Sequence, residues 1–583
     1  MKRRTDVSPP TPSDPGYRAH AAAHTLRSWT VAGLPIINRI LHRMQLQAIL
    51  LQHLPRDDAR MPISTADGLL VLLRNLLLSR EPIYGVGEWA QRYAPDLLGL
   101  SPDQLPHLND DRLGRCLDRL FDTTGPDLLL HVVRHVVREF QVSLDELHND
   151  STTVSFFGAY AGAEAEARRR GRPTIALTYG HSKDHRPDLK QLLYVLTVSE
   201  DGGVPVYCTS ASGNVTDDQT HRDTWKLLCQ LVGRADFLYV ADCKLATREN
   251  MNYVAGQGGR FVTVLPRTRK EGAEFRRRLV QRPQTVSWTV IQQKHDEAGC
   301  VIDRVSQCPE GGISVEGYRI VWLHSTRKAE HDAASRARSI DRALQQLGRL
   351  RERLGSAKTR FRQRAQVESA VAEALEGCGA NHWVHVEIEA REEASYRQAT
   401  RGRPGKQTQY VKQVRDRWEL RFEINVARVA EEKAGDGVFP LVSNADDLSA
   451  AALLRAYKRQ PLVEKRFSQF KTDYEVAPVY LKEVSRIQAL LCVYFFALLV
   501  QTLLERELRR AMHREQVESL PLYPEGRSCR QPTTRRVLDV LEPVQRHELT
   551  RDGEPPEMFV TELTPIQSQI LKLIDLSPAT YGR

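Results

Sequence analysis

The sequence predicts an α/β protein: a mixed sheet with helices packed on it, a helical region before it, and a mainly β insertion interrupting it. Three observations predict this. Residues 20–140 carry apolar side chains at helical spacing, as in 69–78 and 128–140. Residues 142–265 then read as strand, hairpin, helix, strand, helix, strand, the order of a mixed sheet covered by helices. Residues 270–445 break that rhythm before helical spacing resumes at 446.

Each element has a local reason. Pro82 and Gly85–Gly87 punctuate the first helices, and Asn109 or Asp110 is placed to cap an amphipathic helix. Residues 142–157 read as a strand, with β-branched residues toward its end. Segment 190–198 is a second strand, Asp201-Gly202-Gly203 a turn, and 204–210 the returning strand. Residues 217–231 and 244–255 are helical, whereas 235–241 and 260–265 are short buried strands. In the insertion, 286–292, 299–305 and 314–323 suggest successive antiparallel strands, 326–376 a charged helical stretch, and 383–390 and 417–427 two further strands. Between the last two, 397–415 is rich in Gly, Gln, Lys and Arg and reads as a mobile basic loop. Helical patterns recur at 446–471, 482–512 and 535–540.

With 583 residues the chain is too long for one ordinary domain. Its net charge of +10 points to a polyanionic partner, nucleic acid being the usual one, although a merely basic surface has the same composition. The nine cysteines are scattered, odd in number and form no Cys-x-x-Cys pair. That argues against a disulfide framework or a zinc ribbon and suits a reducing cytoplasm. Residues 1–16 are basic and rich in Pro, Ser and Thr, without the apolar run of a secretory signal. Segment 487–504 approaches the length of a membrane span, but Gln488, Gln501 and Thr502 interrupt it and charges crowd its flanks, so it reads as a buried helix.

Two aspartates follow apolar or β-branched strands. Asp150 reads as ending one strand, and Asp242 ends another in Val240-Ala241-Asp242. Carboxylates at the carboxyl ends of strands in an open α/β sheet face the crevice where ligands bind. Glu464 lies on a helical segment that could bring a third carboxylate. Three hard oxygen donors suit Mg²⁺, which keeps water and phosphate in its remaining positions. Taken alone these residues are only a candidate set, because a large protein has many Asp and Glu.

Three stretches together resemble the DDE transposases of bacterial insertion sequences, in the class with a Tyr-Arg-Glu-Lys signature and an insertion before the glutamate. They are His148-Asn149-Asp150-Ser151-Thr152-Thr153 with the later Gly180-His181-Ser182-Lys183-Asp184; Val240-Ala241-Asp242; and a segment with Tyr457, Glu464 and Lys471 at the signature spacing. The Arg position of that signature holds Gln460, with Arg459 beside it. Asp436-Gly437-Val438-Phe439, Pro478-Val479-Tyr480-Leu481 and Leu108-Asn109-Asp110-Asp111 resemble further parts of the family.

The resemblance implies a ribonuclease-H-like catalytic fold, with Asp150, Asp242 and Glu464 as catalytic residues and metal ligands. Two Mg²⁺ ions are implied, with Mn²⁺ able to substitute. The implied partners are double-stranded DNA with terminal inverted repeats, target DNA, and a second copy of the chain in a synaptic homodimer. No membrane partner is expected, and the expected location is the cytoplasm, on the nucleoid. The domains expected are a disordered basic tail at 1–24, a helical domain able to bind DNA at 25–140, and the first part of the catalytic domain at 141–269. The insertion follows at 270–445, completion of the catalytic domain with the signature helix at 446–512, and a C-terminal tail with helices at 513–583.

On that helix Glu464, Phe467 and Lys471 should share one face, with Tyr457 two turns earlier and Pro461 near a first turn. Tyr457, Arg459, Lys471 and the cluster Arg168, Arg169 and Arg170 are the expected DNA contacts, along with the basic stretches 397–415 and 527–536. Asp188 reads chiefly as a turn cap, His148 and His181 as hydrogen-bonding residues, and Trp288 and Trp322 chiefly as core. Two other readings stay open: a domesticated or inactive DNA-binding relative, for which Gln460 speaks, and a nuclease of ribonuclease-H-like fold.

Overall fold

The computed structural model describes residues 25–123, 125–356, 359–551 and 554–581, so the tail expected over 1–24 lies outside the described residues. The chain divides into two compact units, Met1–Phe237 with Arg459–Arg583, and Leu238–Lys458. It is mixed α/β, with a helical N-terminal region.

The first unit is built around the helix Val484–Arg514. Its sequence is apolar on all sides, and 94% of its most hydropathic window is buried by protein. A helix apolar all round needs such a cover. Helices Thr65–Leu78 and Asp110–Thr123 supply much of it. The first is capped by Ser64, which accepts from the Asp67 amide; at the start of the second, Asn109 Oδ1 accepts from the Arg112 amide at 2.8 Å. The buried polar groups of the long helix are matched within the unit. Glu505 Oε2 lies 3.2 Å from Arg466, and Arg506 donates to Asp201 at 3.0 Å.

Also in the first unit, three antiparallel strands form a sheet with Lys190–Ser199 between Glu146–Phe156 and Pro205–Ser212. The turn between the last two strands falls at Gly202 and Gly203, whose φ values of 79° and 67° are left-handed. Helix Asp217–Val232 follows. A separate sheet pairs Thr25–Thr30 with Gln545–Thr550, which pairs in turn with Glu557–Val560. The C-terminal segment thus contributes strands as well as helices; its polar alternation (Arg546, Glu548, Thr550) gave no apolar signal to read.

The second unit holds a mixed sheet of strands. Leu238–Ala241 runs parallel to Arg260–Val264, followed in space by Val438–Ser443, Arg319–Ser325, Val301–Gln307 and Thr289–His295, all antiparallel to their neighbours. Strands expected to form a separate insertion therefore extend the sheet that carries Asp242. They share one apolar core, with Val240, Val262, Leu323 and Leu441 in it.

The rest of the expected insertion is not mainly β. Helices Thr326–Gly355 and Arg364–Cys378 pack on the base of a two-stranded ribbon, Val384–Gln398 with Tyr410–Ile424. Ile340, Leu347 and Leu354 on one helix, and Val367, Val371 and Cys378 on the other, bury one face of each. The basic loop expected at 397–415 shrinks to residues 399–409, because the ribbon pairing runs out to Gln398 and Tyr410.

Candidate active site

Asp150 sits within the strand Glu146–Phe156, not at its end: the run Ser151-Thr152-Thr153-Val154 continues the pairing, and Asp150 faces Leu196. β-branched and hydroxylic residues suit a buried strand, so the pairing persists past the carboxylate. Successive side chains point to opposite faces. His148 therefore lies on one face, and Asn149 and Ser151 on the other; the Asp150 carboxylate turns back toward Ser151, whose amide donates to its Oδ1 at 2.7 Å.

On the Ser151 face lies helix Asp217–Val232. Ser151 Oγ donates to Asp217 Oδ1 at 2.6 Å. Lys183, from the segment Gly180-His181-Ser182-Lys183-Asp184, reaches the same place. Its Nζ is 2.8 Å from Asp217 Oδ2 and 3.5 Å from Asp150 Oδ1, and it donates to the Ser151 carbonyl at 2.6 Å. Two carboxylates thus converge on one cation. Burial works against the Asp217 carboxylate, but Lys183 and the Ser151 hydroxyl outweigh it and hold its pKa below the ordinary value. Deeper on this face, burial pushes His221 down to about 4, so the imidazole is neutral and accepts from Asn149 Nδ2 at 3.5 Å.

On the opposite face lies the start of the Glu464 helix, Pro461–Ser468. Gln460 is buried there: its Oε1 is 3.1 Å from His148 Nδ1, and its Nε2 donates to the Asn149 carbonyl at 3.0 Å. His148 Nε2 lies 2.8 Å from Glu146, and Arg459 donates to the same carboxylate at 2.6 Å. Burial opposes the Glu146 charge, yet the His148 and Arg459 hydrogen bonds lower its pKa. This chain of contacts latches the helix carrying Glu464 to the strand carrying Asp150, although the two are far apart in sequence. Glu464 lies in the first turn and is exposed, as Asp150 is in part.

The signature segment is not one continuous helix. Helix Ala450–Tyr457 ends before Gln460, Pro461 opens the next helix at its first position, and Gln469–Asp473 closes it as a π turn. Proline has no N–H to continue an earlier helix, and a π turn rotates the residues after it. Glu464, Phe467 and Lys471 therefore do not share one open face: Phe467 is buried, Glu464 exposed. Tyr457 belongs to the second unit and packs against its core. Lys471 donates to Asp184 at 2.6 Å.

In the second unit Asp242 directly follows the strand Leu238–Ala241, as expected. Its Oδ1 accepts from the Lys244 amide at 3.0 Å, and its carbonyl accepts from Thr263 Oγ1 at 2.6 Å. The side chain is half-buried at the start of a turn leading to helix Arg248–Gly256.

The arginine cluster lies on a small hairpin, Ala167–Arg169 with Arg172–Thr174. Arg170 makes a two-pronged pair with Asp122, both bonds at 2.6 Å, and Arg168 donates to the Gly171 carbonyl at 2.9 Å; Arg169 is exposed. Asp188 pairs with Arg186 at 2.7 Å, and Trp322 stacks on Phe275 with centroids 4.1 Å apart.

Among the described residues no group of three or more His, Cys, Asp or Glu side chains stands gathered for a metal ion. The donor chemistry at Asp150 nevertheless fits a hard divalent cation. Both donors are carboxylate oxygens, and the Lys183 ammonium stands between them as a cation. Asp217 escaped the sequence reading, because an Asp in a helix's first turn is accounted for by the helix dipole alone.

Comparisons with known proteins give a family-model match and matches among solved structures. A family described as a domain of unknown function, DUF4277, matches residues 27–134. No match was found among curated proteins. Among solved structures, a piggyBac transposase synaptic complex with hairpin DNA aligns at 13% identity and a TM-score of 0.25, over 50% of this chain. The alignment spans 59% of that protein's length, and a TM-score of this size does not establish a shared fold.

Proposed function

We infer that the protein is a metal-dependent DNA transposase of the DDE class, with a ribonuclease-H-like core. Asp150, Asp242 and Glu464 are its carboxylate ligands. The observation that carries this reading is the latch within the first unit: Gln460 on His148 and Asn149, and Arg459 on Glu146, hold the Glu464 helix against the Asp150 strand. These bonds bring the segment bearing Glu464 to the strand bearing Asp150, as a shared carboxylate site requires. The parallel strand pair ending at Asp242 is the element the ribonuclease-H-like reading needs for the second aspartate.

When bound, two divalent ions would activate the attacking oxygen and stabilise the leaving one. The chain's own residues do the positioning. Asp150 is oriented by the Ser151 amide, which donates to its Oδ1 at 2.7 Å, and the Lys183 ammonium offsets part of the charge of the Asp150–Asp217 pair, where a divalent ion would be held. Arg459 and Lys471 flank the signature helix before and after it, and a DNA phosphate would compete with Glu146 and Asp184 for them. Arg168 and Arg169 present exposed guanidinium groups to a DNA backbone. The partners in this reading are the element's terminal inverted repeats, target DNA and a second copy of the chain.

The rival reading, a relative that binds DNA without cutting, drew on Gln460. That residue has a use of its own in the latch, so its presence is no sign of decay.

The test is cleavage and joining of DNA bearing the sequences that flank the gene. The full chain with Mg²⁺ should nick and join, EDTA should abolish both, and Asp150→Asn, Asp242→Asn and Glu464→Gln should each lower the rate at least about 100-fold while DNA binding persists. An Asp150→Asn protein that still cuts and joins would sink the assignment.

A further inference from the structure

The ribbon Val384–Gln398 with Tyr410–Ile424 pairs over its full 15-residue strands, which at about 3.3 Å per residue is about 50 Å long. Its base is covered by the two helices, with Val384 and Leu420 buried. Beyond, residues 391–397 are all exposed, and so are 410–412 and 414–416. A two-stranded ribbon open on both faces is marginal by itself. Its outer part therefore needs a reason to be kept.

The charge of the ribbon changes along its length. At the base, Arg417 pairs with Glu393 at 2.5 Å, Arg391 with Glu419 at 3.2 Å, and Arg421 with Glu389 at 3.1 Å. From Ala394 to Arg415 there is no acidic residue, while Arg397, Arg401, Arg403, Lys406, Lys412 and Arg415 are all basic. Tyr396, paired with Lys412, and Tyr410, paired with Gln398, fall on one face by register and are 68% and 53% exposed. Arg397, opposite Val411, and Arg415, opposite Glu393, fall on the other.

At the tip, Arg401-Gly402-Arg403-Pro404-Gly405-Lys406 is exposed throughout. The loop is closed by Ala399, which donates to the Gln409 carbonyl at 2.9 Å, and by Gly405, whose amide donates to Thr408 Oγ1 at 2.7 Å. The fold does not demand glycine at 402 or 405. Neither has a left-handed φ, and a Cβ added at either would meet nothing within 4 Å. The two glycines leave bare, exposed backbone at the tip.

We propose that this tip is a minor-groove reader of A·T-rich duplex DNA, with Arg401 and Arg403 inserted into the groove and the ribbon cations along the flanking phosphates. It takes DNA as the partner from the function proposed above. The minor groove, about 6 Å wide, excludes bulky side chains from its floor but admits bare backbone. The structure bends at Arg401 and Gly402; drawn out along the groove, two arginines separated by one residue would lie about 7 Å apart on one side, about two base-pair steps. Narrow A·T grooves carry the enhanced negative potential that draws guanidinium groups, and the guanine N2 amino group obstructs the floor of G·C sequences.

The test titrates the full chain, in EDTA, against short fluorescent duplexes with a central A·T, G·C or inosine·cytosine tract. Inosine·cytosine keeps the G·C major-groove acceptors but lacks the minor-groove amino group. We expect A·T and inosine·cytosine tracts to bind alike and at least about fivefold tighter than G·C. R401A/R403A should lose that preference while keeping the wild-type melting curve. An inosine·cytosine tract that behaves like G·C, three tracts that bind equally, or a preference that survives R401A/R403A overturns the proposal. Binding without preference leaves the transposase reading standing. An intact preference in a chain that never cuts with Mg²⁺ sinks that reading and leaves this one, and no binding to any duplex sinks both.

Discussion

His221 shows how one buried side chain sets a pH limit for the region around Asp150. Its pKa falls from 6.5 to about 4, chiefly through burial, with Asp217 and Asp218 pulling the other way. Unfolded chains bind the His221 proton below about 6.5, whereas the folded chain refuses it until about 4. The neutral imidazole's contribution is therefore full above 6.5 and is lost as the pH falls toward 4; at about 1.4 kcal/mol per pH unit it is about 3 kcal/mol. His221→Gln, which keeps an acceptor for Asn149, should flatten this part of the stability curve in urea melts taken from neutral pH down to 4. An unchanged slope would show that other groups set it. At the same scale, Asp217 and Lys183 were illegible as partners of Asp150. Nothing at their positions in the chain reveals that a helix start and a loop meet over one strand. Asp242 was legible, because a short apolar strand running into an aspartate is a local pattern.

At the scale of elements, the helix Val484–Arg514 carries a buried charge cluster at Glu505. Arg466 and Glu505 are each 1% exposed and lie 3.2 Å apart, with Lys465 and Arg509 nearby. Burial opposes the Glu505 charge, but Arg466, Lys465 and Arg509 outweigh it and hold the pKa below the ordinary 4.5. Glu505→Ala would leave the Arg466 guanidinium buried beside no carboxylate and should cost about 3–5 kcal/mol, read as a lower urea midpoint with an unchanged slope. The wild-type contribution of Glu505 is complete above about 4.5 and declines as the pH drops through its lowered folded pKa, a decline that Glu505→Gln should remove. A midpoint shift below about 1 kcal/mol would mean that water reaches the pair in solution. The buried character of this helix was visible in its all-round apolarity. The break at Gln460 was visible only through Pro461, and the π turn at Gln469–Asp473 not at all, since no residue type marks one.

For the whole molecule, the net charge of +10 sets an expectation for binding. A chain that neutralises six to ten phosphates should lose about 10³–10⁵ in DNA affinity between 50 and 200 mM salt. Fluorescence anisotropy on duplex DNA measures this, and a flat salt dependence would argue against a phosphate-dominated interface.

The periodicity of the chain was enough to place most helices and strands of both units, because burying one face, or every face, leaves its mark in local apolar spacing. The family resemblance supplied the carboxylate set of the proposed site, and composition the basic run at 397–415. Tertiary structure alone decided that Gln460 is a latch and not a lapse, that Lys183 joins Asp150 to Asp217, and that the basic run crowns a paired ribbon. Hydrogen bonds and ion pairs between residues hundreds of positions apart depend on where the backbone returns, and no local spacing encodes that.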